Sequence, residues 1–208
     1  MIRTPALVES LHRIDVWLAE HAPASYQTLN PPATSEQIGD AFTRMGVPVP
    51  VDLATLLLRH NGTTDPEIGQ ANRKGIAHFL PMWTRLLSLE EIEDDYDGHM
   101  RVLGDPAEDE DEDGLDPWWH PSWVCFASSA DSGVHWAVDQ RAGGRPGAIR
   151  ECDRVESSVG FSSLSEMMAA IATSLESGQS LYQHRSHLPQ VVEDGVLTWD
   201  VGPAQPSD

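Results

Sequence analysis

Apolar residues in the first third of the chain recur at helical spacing. Leu7, Leu11, Ile14 and Leu18 predict a helix over residues 5–21 with one apolar face. Capping patterns, prolines and stop residues mark the ends of the other segments with this spacing. The further helices predicted in this way cover residues 34–46, 50–60, 88–102 and 163–178. Each has an apolar stripe that needs a partner surface.

Strand patterns dominate the second half of the chain. Short apolar or alternating segments predict strands over residues 82–86, 123–127, 134–139 and 148–152. Asp194 and Gly195 lie between two apolar segments and predict a hairpin over residues 190–200. Helices followed by hairpin-connected strands indicate the α+β class, as one domain over residues 1–200 with a disordered tail over 201–208.

The net charge of the chain indicates what kind of macromolecule it can bind. Thirty-three acids and thirteen bases give a formal net charge of -20, which repels the phosphates of nucleic acids and anionic lipids. The expected macromolecular partner is therefore another protein, and a basic one.

The sequence contains no secretory signal and no apolar segment long enough to span a membrane, so we expect a cytoplasmic protein. Cys125 and Cys152 are expected to be buried thiols in a reducing compartment.

An acidic insertion, predicted as a loop over residues 104–117, is the strongest local feature. It contains eight acids and no base, and such a block is usually solvated because it repels itself. Two tryptophans follow it and offer an aromatic anchor beside the charge; alternatively, their indoles close the core under the loop. The candidate partner-binding residues are Asp109, Glu110, Asp111, Glu112, Asp113, Trp118, Trp119 and Asp131.

Metal and catalytic motifs are weak. Asp109, Asp111 and Asp113 match the first half of a calcium loop, but His120 occupies the twelfth position where a bidentate glutamate is required. His184 and His187 have no further ligand at useful spacing. The sequence also contains neither G-x-S-x-G nor S-x-x-K. We therefore predict no metal, no cofactor and no enzymatic activity.

Four segments together resemble the Smi1/Knr4 (SUKH) superfamily. They are PPATSEQIGDAFTRMGVPVPVDLATLLLRHNG, FLPMWTRLLSLEEI, WWHPSWVCFASSADSGVHWAVD and GFSSLSEMMAAIATSLESG. The second and third resemble family strands that carry a tryptophan, here Trp83 and Trp123, and both indoles are expected in the core. The resemblance implies an α+β domain with a central mixed, largely antiparallel sheet flanked by helices.

The same resemblance implies a binding role without catalysis. Bacterial members of the superfamily look like immunity proteins that neutralise toxins, and fungal members act as scaffolds in cell-wall signalling. Our hypothesis is a toxin-neutralising immunity protein that acts through its acidic surface. A regulatory scaffold in cell-wall or secretion physiology is the alternative, and a metal-dependent or hydrolytic enzyme is the third.

Overall fold

The fold is of the α+β class, as the sequence predicts. The structure is a computed structural model that describes residues 4–66, 75–104, 119–129, 133–142, 144–153, 157–181 and 186–202. The helices are α1 Pro5–His21, α2 Pro23–Tyr26, α3 Ser35–Met45, α4 Val51–Leu57, α5 Leu89–Leu103 and α6 Leu164–Ser177. The strands are β1 Arg85–Leu86, β2 Trp123–Ser128, β3 His135–Asp139, β4 Ile149–Cys152, β5 Ser157–Phe161, β6 Ser186–Val192 and β7 Val196–Gly202.

The predicted helix starts are confirmed by their capping contacts. Thr34 and Gln37 form a complete capping box at α3, and Ser88 and Glu91 form another at α5. Each box satisfies backbone N–H groups that the first helical turn leaves without partners. Gly46 ends α3 and Gly178 ends α6, both with positive φ angles that glycine adopts at low cost.

Helix α4 ends earlier than predicted, and the predicted stop residues, Asn61 and Gly62, contact the start of α5 instead. Its last residue is Leu57, four residues before Asn61. The Asn61 side chain instead accepts a hydrogen bond from Leu89 N at 2.8 Å. A Cβ atom on Gly62 would lie 2.3 Å from Ser88 N, so only glycine fits there. This pair therefore joins the end of the first helical region to the start of α5.

Five strands form one sheet in the order β1-β2-β3-β4-β5. Every recorded pairing in it is antiparallel, so the parallel pair that a mixed sheet requires is not found among the described strands. A register shift between Cys125 and Ala127 interrupts the pairing of β2 with β3. Strand β5 was not predicted, because its residues are mostly exposed and show little apolar patterning.

The prediction for Trp83 is wrong. Its side chain is 49% exposed, and both Met82 and Trp83 have positive φ angles, 61° and 57°. Such angles are uncommon outside glycine and belong to turns. The chain therefore turns at these residues, and β1 shortens to Arg85–Leu86. Trp123, by contrast, is fully buried as expected.

The C-terminal hairpin packs on the N-terminal helices. Gly195 lies against Pro23, since a Cβ atom there would come within 2.8 Å of the proline ring. The hydroxyl of Ser25 accepts a hydrogen bond from Leu197 N at 3.0 Å, in a buried position. Strand β7 continues to Gly202, beyond the start of the expected tail at Val201; residues 203–208 lie outside the described part of the chain.

Helix α6 runs along α1, which is its most extensive neighbour. Its buried residues Leu164, Met168 and Ile171 belong to the same continuous core as Trp123 and Phe126. Cys125 and Cys152 are free and buried, as predicted. Among the described residues, no helix has the length and apolar character to cross a membrane.

Candidate functional site

Two polar clusters lie at opposite ends of strand β3, one around Asp139 and the other around His135. We call the first the arginine groove, a cavity of about 810 Å³. It is lined by His120, Ser122, Arg141, Ala142, Gly144, Arg145, Arg150 and Val159. We call the second the imidazole cluster, which consists of Asp95, His99 and His135. Trp119, the first described residue after the acidic insertion, packs against the second cluster.

Asp139, at the end of β3, anchors the arginine groove. Its carboxylate is fully buried and accepts hydrogen bonds from Arg141 Nη2 at 2.9 Å and Arg150 Nε at 2.8 Å. Arg141 N also donates to Asp139 Oδ1 at 2.9 Å. Burial alone would raise the pKa of Asp139, but the hydrogen bonds from Arg141 and Arg150 outweigh it and lower that pKa. The buried charge is thus paired on both oxygens.

Trp123 forms the floor under the two guanidinium groups. The Cζ atom of Arg150 lies 4.6 Å from the indole centroid, and that of Arg141 lies 5.2 Å from it. At these distances a cation is attracted to the face of the ring. The buried tryptophan on β2 therefore fixes both guanidinium planes, and the exposed Arg145 completes a basic wall in an otherwise acidic protein.

The described groups of the groove suit binding better than proton transfer. His120 Nδ1 accepts a hydrogen bond from Ser122 N at 3.0 Å, so the neutral ring carries its proton on Nε2. Burial and the positive charge of Arg141 lower the pKa of His120. Asp139 has a lowered pKa and is hydrogen-bonded to two arginines, which makes it a weak general base. The groove can hold an anionic group, but its described side chains offer no good proton acceptor.

The imidazole cluster joins a helix to the sheet. Asp95 and His99 are one turn apart on α5, and His135 opens β3. Asp95 Oδ2 lies 3.1 Å from His99 Nδ1, and Asp95 Oδ1 lies 3.4 Å from His135 Nδ1. Burial disfavours the Asp95 carboxylate, but its interactions with His135 and His99 prevail and lower its pKa to about 2.

His99 and His135 present their edges to the same carboxylate. Their rings are nearly perpendicular, with centroids 5.1 Å apart. His99 also stacks on Trp119 with centroids 3.6 Å apart. Burial lowers the pKa of His99, and the larger combined effect of Asp95 raises it. Cys125 Sγ lies 3.6 Å from the same His135 Nδ1 atom that faces Asp95, and burial raises the pKa of this thiol well above its usual range.

The structure describes only part of the partner-binding set that the sequence suggested. Asp109, Glu110, Asp111, Glu112, Asp113, Trp118 and Asp131 lie outside the described residues, as does His184. Trp119 is described, and it is 2% exposed. The alternative in which this indole closes the core is therefore the arrangement found, and Trp119 is not an exposed anchor. It fixes the end of the acidic insertion onto α5.

Sequence reasoning missed both clusters for different reasons. Asp95 and His99 have the i,i+4 spacing that places two ligands on one helix face, which was a usable signal. His135 lies 36 residues further along the chain than His99, so only the packing of α5 on the sheet brings it into the cluster. Arg141 and Arg150 flank a turn between adjacent strands. The carboxylate that they share, Asp139, stands out in the sequence only as the last residue of the predicted strand over 134–139.

A comparison with protein families gives one match. The sequence model of the SMI1/KNR4 family (SUKH-1) matches residues 32–170, which is more than half of the chain. The match runs from the loop before α3 into α6 and includes the five-stranded sheet with both polar clusters. A search of the curated proteins gives no match. The resemblance found in the sequence is thereby confirmed.

Proposed function

Because the chain belongs to the SMI1/KNR4 family (SUKH-1), we propose that it is a non-catalytic protein-binding module, and specifically an immunity protein that neutralises a basic toxin domain. The observation that carries this proposal is the concentration of negative charge. The net charge is -20, and the insertion over residues 104–117 supplies eight acids without a base. Charge of this kind speeds the encounter with a basic partner through a long-range field.

The described ends of the insertion support its use as an arm. Helix α5 ends at Leu103 immediately before it, and Trp119 immediately after it stacks on His99 of the same helix. Both ends therefore adjoin one well-packed element of the domain. A charged segment held at both ends loses less conformational entropy on binding than a free tail of the same length. A nuclease toxin, whose groove binds phosphates, is a partner that such an arm suits.

The arginine groove contributes to the proposal in a second way. Its guanidinium groups are held by Asp139 and Trp123 before any partner arrives. They can bind a carboxylate of the partner in a fixed geometry, whereas the arm attracts the partner's basic surface. The partner would then be basic overall with an acidic residue at the contact with Arg145. Such mixed complementarity favours one partner over others.

The test begins with the full chain as bait in an extract of its native cells. The protein that it retains is expressed alone and with the chain, and cell growth is measured. Immunity predicts that the retained protein, or one domain of it, arrests growth and that the chain restores growth. If the retained protein is harmless to the cell, the toxin-neutralising role is rejected and the scaffold alternative gains support.

Surface-plasmon kinetics on the purified pair then test the acidic arm. The arm variant is D109N/E110Q/D111N/E112Q, and the matched control removes the same charge from exposed acids elsewhere, as E9Q/E20Q/D40N/E193Q. We expect the arm variant to associate more slowly and with a weaker salt dependence than the control, since exposed charges act over about 8 Å at physiological ionic strength. Equal association rates for the two variants would rule out the arm as the recognition element.

A further inference from the structure

The imidazole cluster contains three residue types that bind transition metals, arranged around one point. One ligand atom each from Asp95, His99 and His135 can be chosen so that all three lie within 4.8 Å of one another. Two imidazole nitrogens and a carboxylate oxygen form a set used by zinc and other first-row divalent ions. The three residues lie within the region that the family match covers.

The three ligands come from two elements of the fold, α5 and β3. Asp95 and His99 share one face of α5 because they are four residues apart. His135 comes from β3, which is paired on both sides with β2 and β4. Stacking on Trp119 fixes the plane of His99. A site built on a helix and a central strand loses little conformational freedom when an ion binds.

One oxygen of the Asp95 carboxylate lacks a well-placed hydrogen bond from the described residues. His99 Nδ1 makes a hydrogen bond to the backbone oxygen of Asp95 at 2.9 Å. The carboxylate oxygen Asp95 Oδ2 is buried and lies 3.1 Å from the same nitrogen, but it forms no hydrogen bond of good geometry with a described residue. A buried carboxylate oxygen without such a partner is costly. A metal ion between Asp95 and the two imidazoles would satisfy this oxygen.

We propose that Asp95, His99 and His135 form a binding site for a first-row divalent transition metal ion such as Zn²⁺. The ion takes one carboxylate oxygen and the Nδ1 atoms of the two imidazoles, whose Nδ1 protons pass to solvent. The fourth position is left for water, on the side where His135 is partly exposed. Three protein ligands with one open position is a known arrangement for zinc. In the fold, the ion would tie α5 to the sheet beside the attachment of the acidic insertion.

Isothermal titration calorimetry with Zn²⁺ tests the site on the full chain after removal of metal with a chelator. Millimolar Mg²⁺ is added to the buffer to compete for the acidic insertion, whose side chains offer oxygen ligands only. We expect one Zn²⁺ per chain in the parent protein. The variants D95N and H135Q should each weaken this binding at least about tenfold. The matched control is D15N, which alters a different buried carboxylate, one that lies next to His60, and should leave the affinity unchanged.

A second measurement covers the case in which a variant fails to fold. Ring-proton resonances of the histidines are followed by NMR in the parent protein as Zn²⁺ is added. Saturable shifts of His99 and His135 at one equivalent support the site, and shifts spread over the other histidines contradict it. The proposal also fails if the parent binds no Zn²⁺, or if folded D95N and H135Q bind it as tightly as the parent. The cluster is then only a clamp of hydrogen bonds between α5 and β3.

Discussion

The arginine groove and the imidazole cluster each place one buried or largely buried carboxylate against two nitrogen-containing side chains, yet the two sites differ in chemistry. Asp139 faces guanidinium groups, which keep their charge at every accessible pH and donate to both of its oxygens. Asp95 faces imidazoles, which can be neutral and can give up a nitrogen lone pair to a metal. In the first site both carboxylate oxygens accept hydrogen bonds from arginines. In the second, Asp95 Oδ2 has an imidazole nitrogen nearby but no hydrogen bond of good geometry from a described residue.

The difference shows that one sheet can support both a surface for anion recognition and a cluster of potential metal ligands. Permanent cations over Trp123 produce a fixed, positively charged surface that suits recognition of an anion. Titratable bases next to Trp119 produce a site that can exchange hydrogen bonds for metal ligands. Removing the carboxylate should therefore have unequal consequences at the two places.

The largest effect is expected for D139N. This change leaves the buried Arg150 and the largely buried Arg141 without their shared anion. Breaking a buried ion pair from one side costs about 3–5 kcal/mol of unfolding free energy, because an uncompensated charge remains. Urea denaturation followed by circular dichroism measures this, with the exposed D40N as control. A loss equal to that of D40N would mean that solvent, and not Asp139, supports the two arginines.

A smaller effect is expected for D95N when metal is removed by a chelator at about pH 8. The two imidazoles that remain are 15% and 24% exposed to solvent, so the cost should be about 1–2 kcal/mol, as for the loss of a partly satisfied hydrogen-bonding group. The same denaturation experiment compares the two variants directly. If D95N destabilises the protein as much as D139N does, the imidazoles are charged partners and the contrast between the sites is wrong.

The smallest effect is expected in the pH dependence of the stability that Asp139 contributes. The pKa of Asp139 in the folded protein is lowered relative to the unfolded chain, where it is about 3.9. Its contribution is therefore complete above that pH and is lost as pH falls through the folded pKa. The stability gap between the parent and D139N should stay constant from about pH 7 to 5 and narrow below about 4. Denaturation curves across this range provide the check, and a gap that widens in acid would reverse the inferred sign.

The sequence by itself determined the class of fold and most element boundaries. Apolar spacing gave α1 over its full length, and the Thr34–Gln37 and Ser88–Glu91 patterns gave the starts of α3 and α5. These signals are local, since a cap or an apolar stripe depends on residues within one or two turns. The Asp194–Gly195 hairpin was predictable for the same reason. The family resemblance also rested on contiguous segments of the chain.

Only the tertiary structure decided where the polar side chains meet. The sequence placed Trp83 in the core and left Trp119 between two interpretations, and the turn at Met82 and the stacking on His99 settled both. The union of Asp95 and His99 with His135 depends on how α5 lies on the sheet, which no local pattern records. Burial and convergence are properties of packed surfaces from distant parts of the chain. For that reason the clusters became visible only once the helices and strands were assembled.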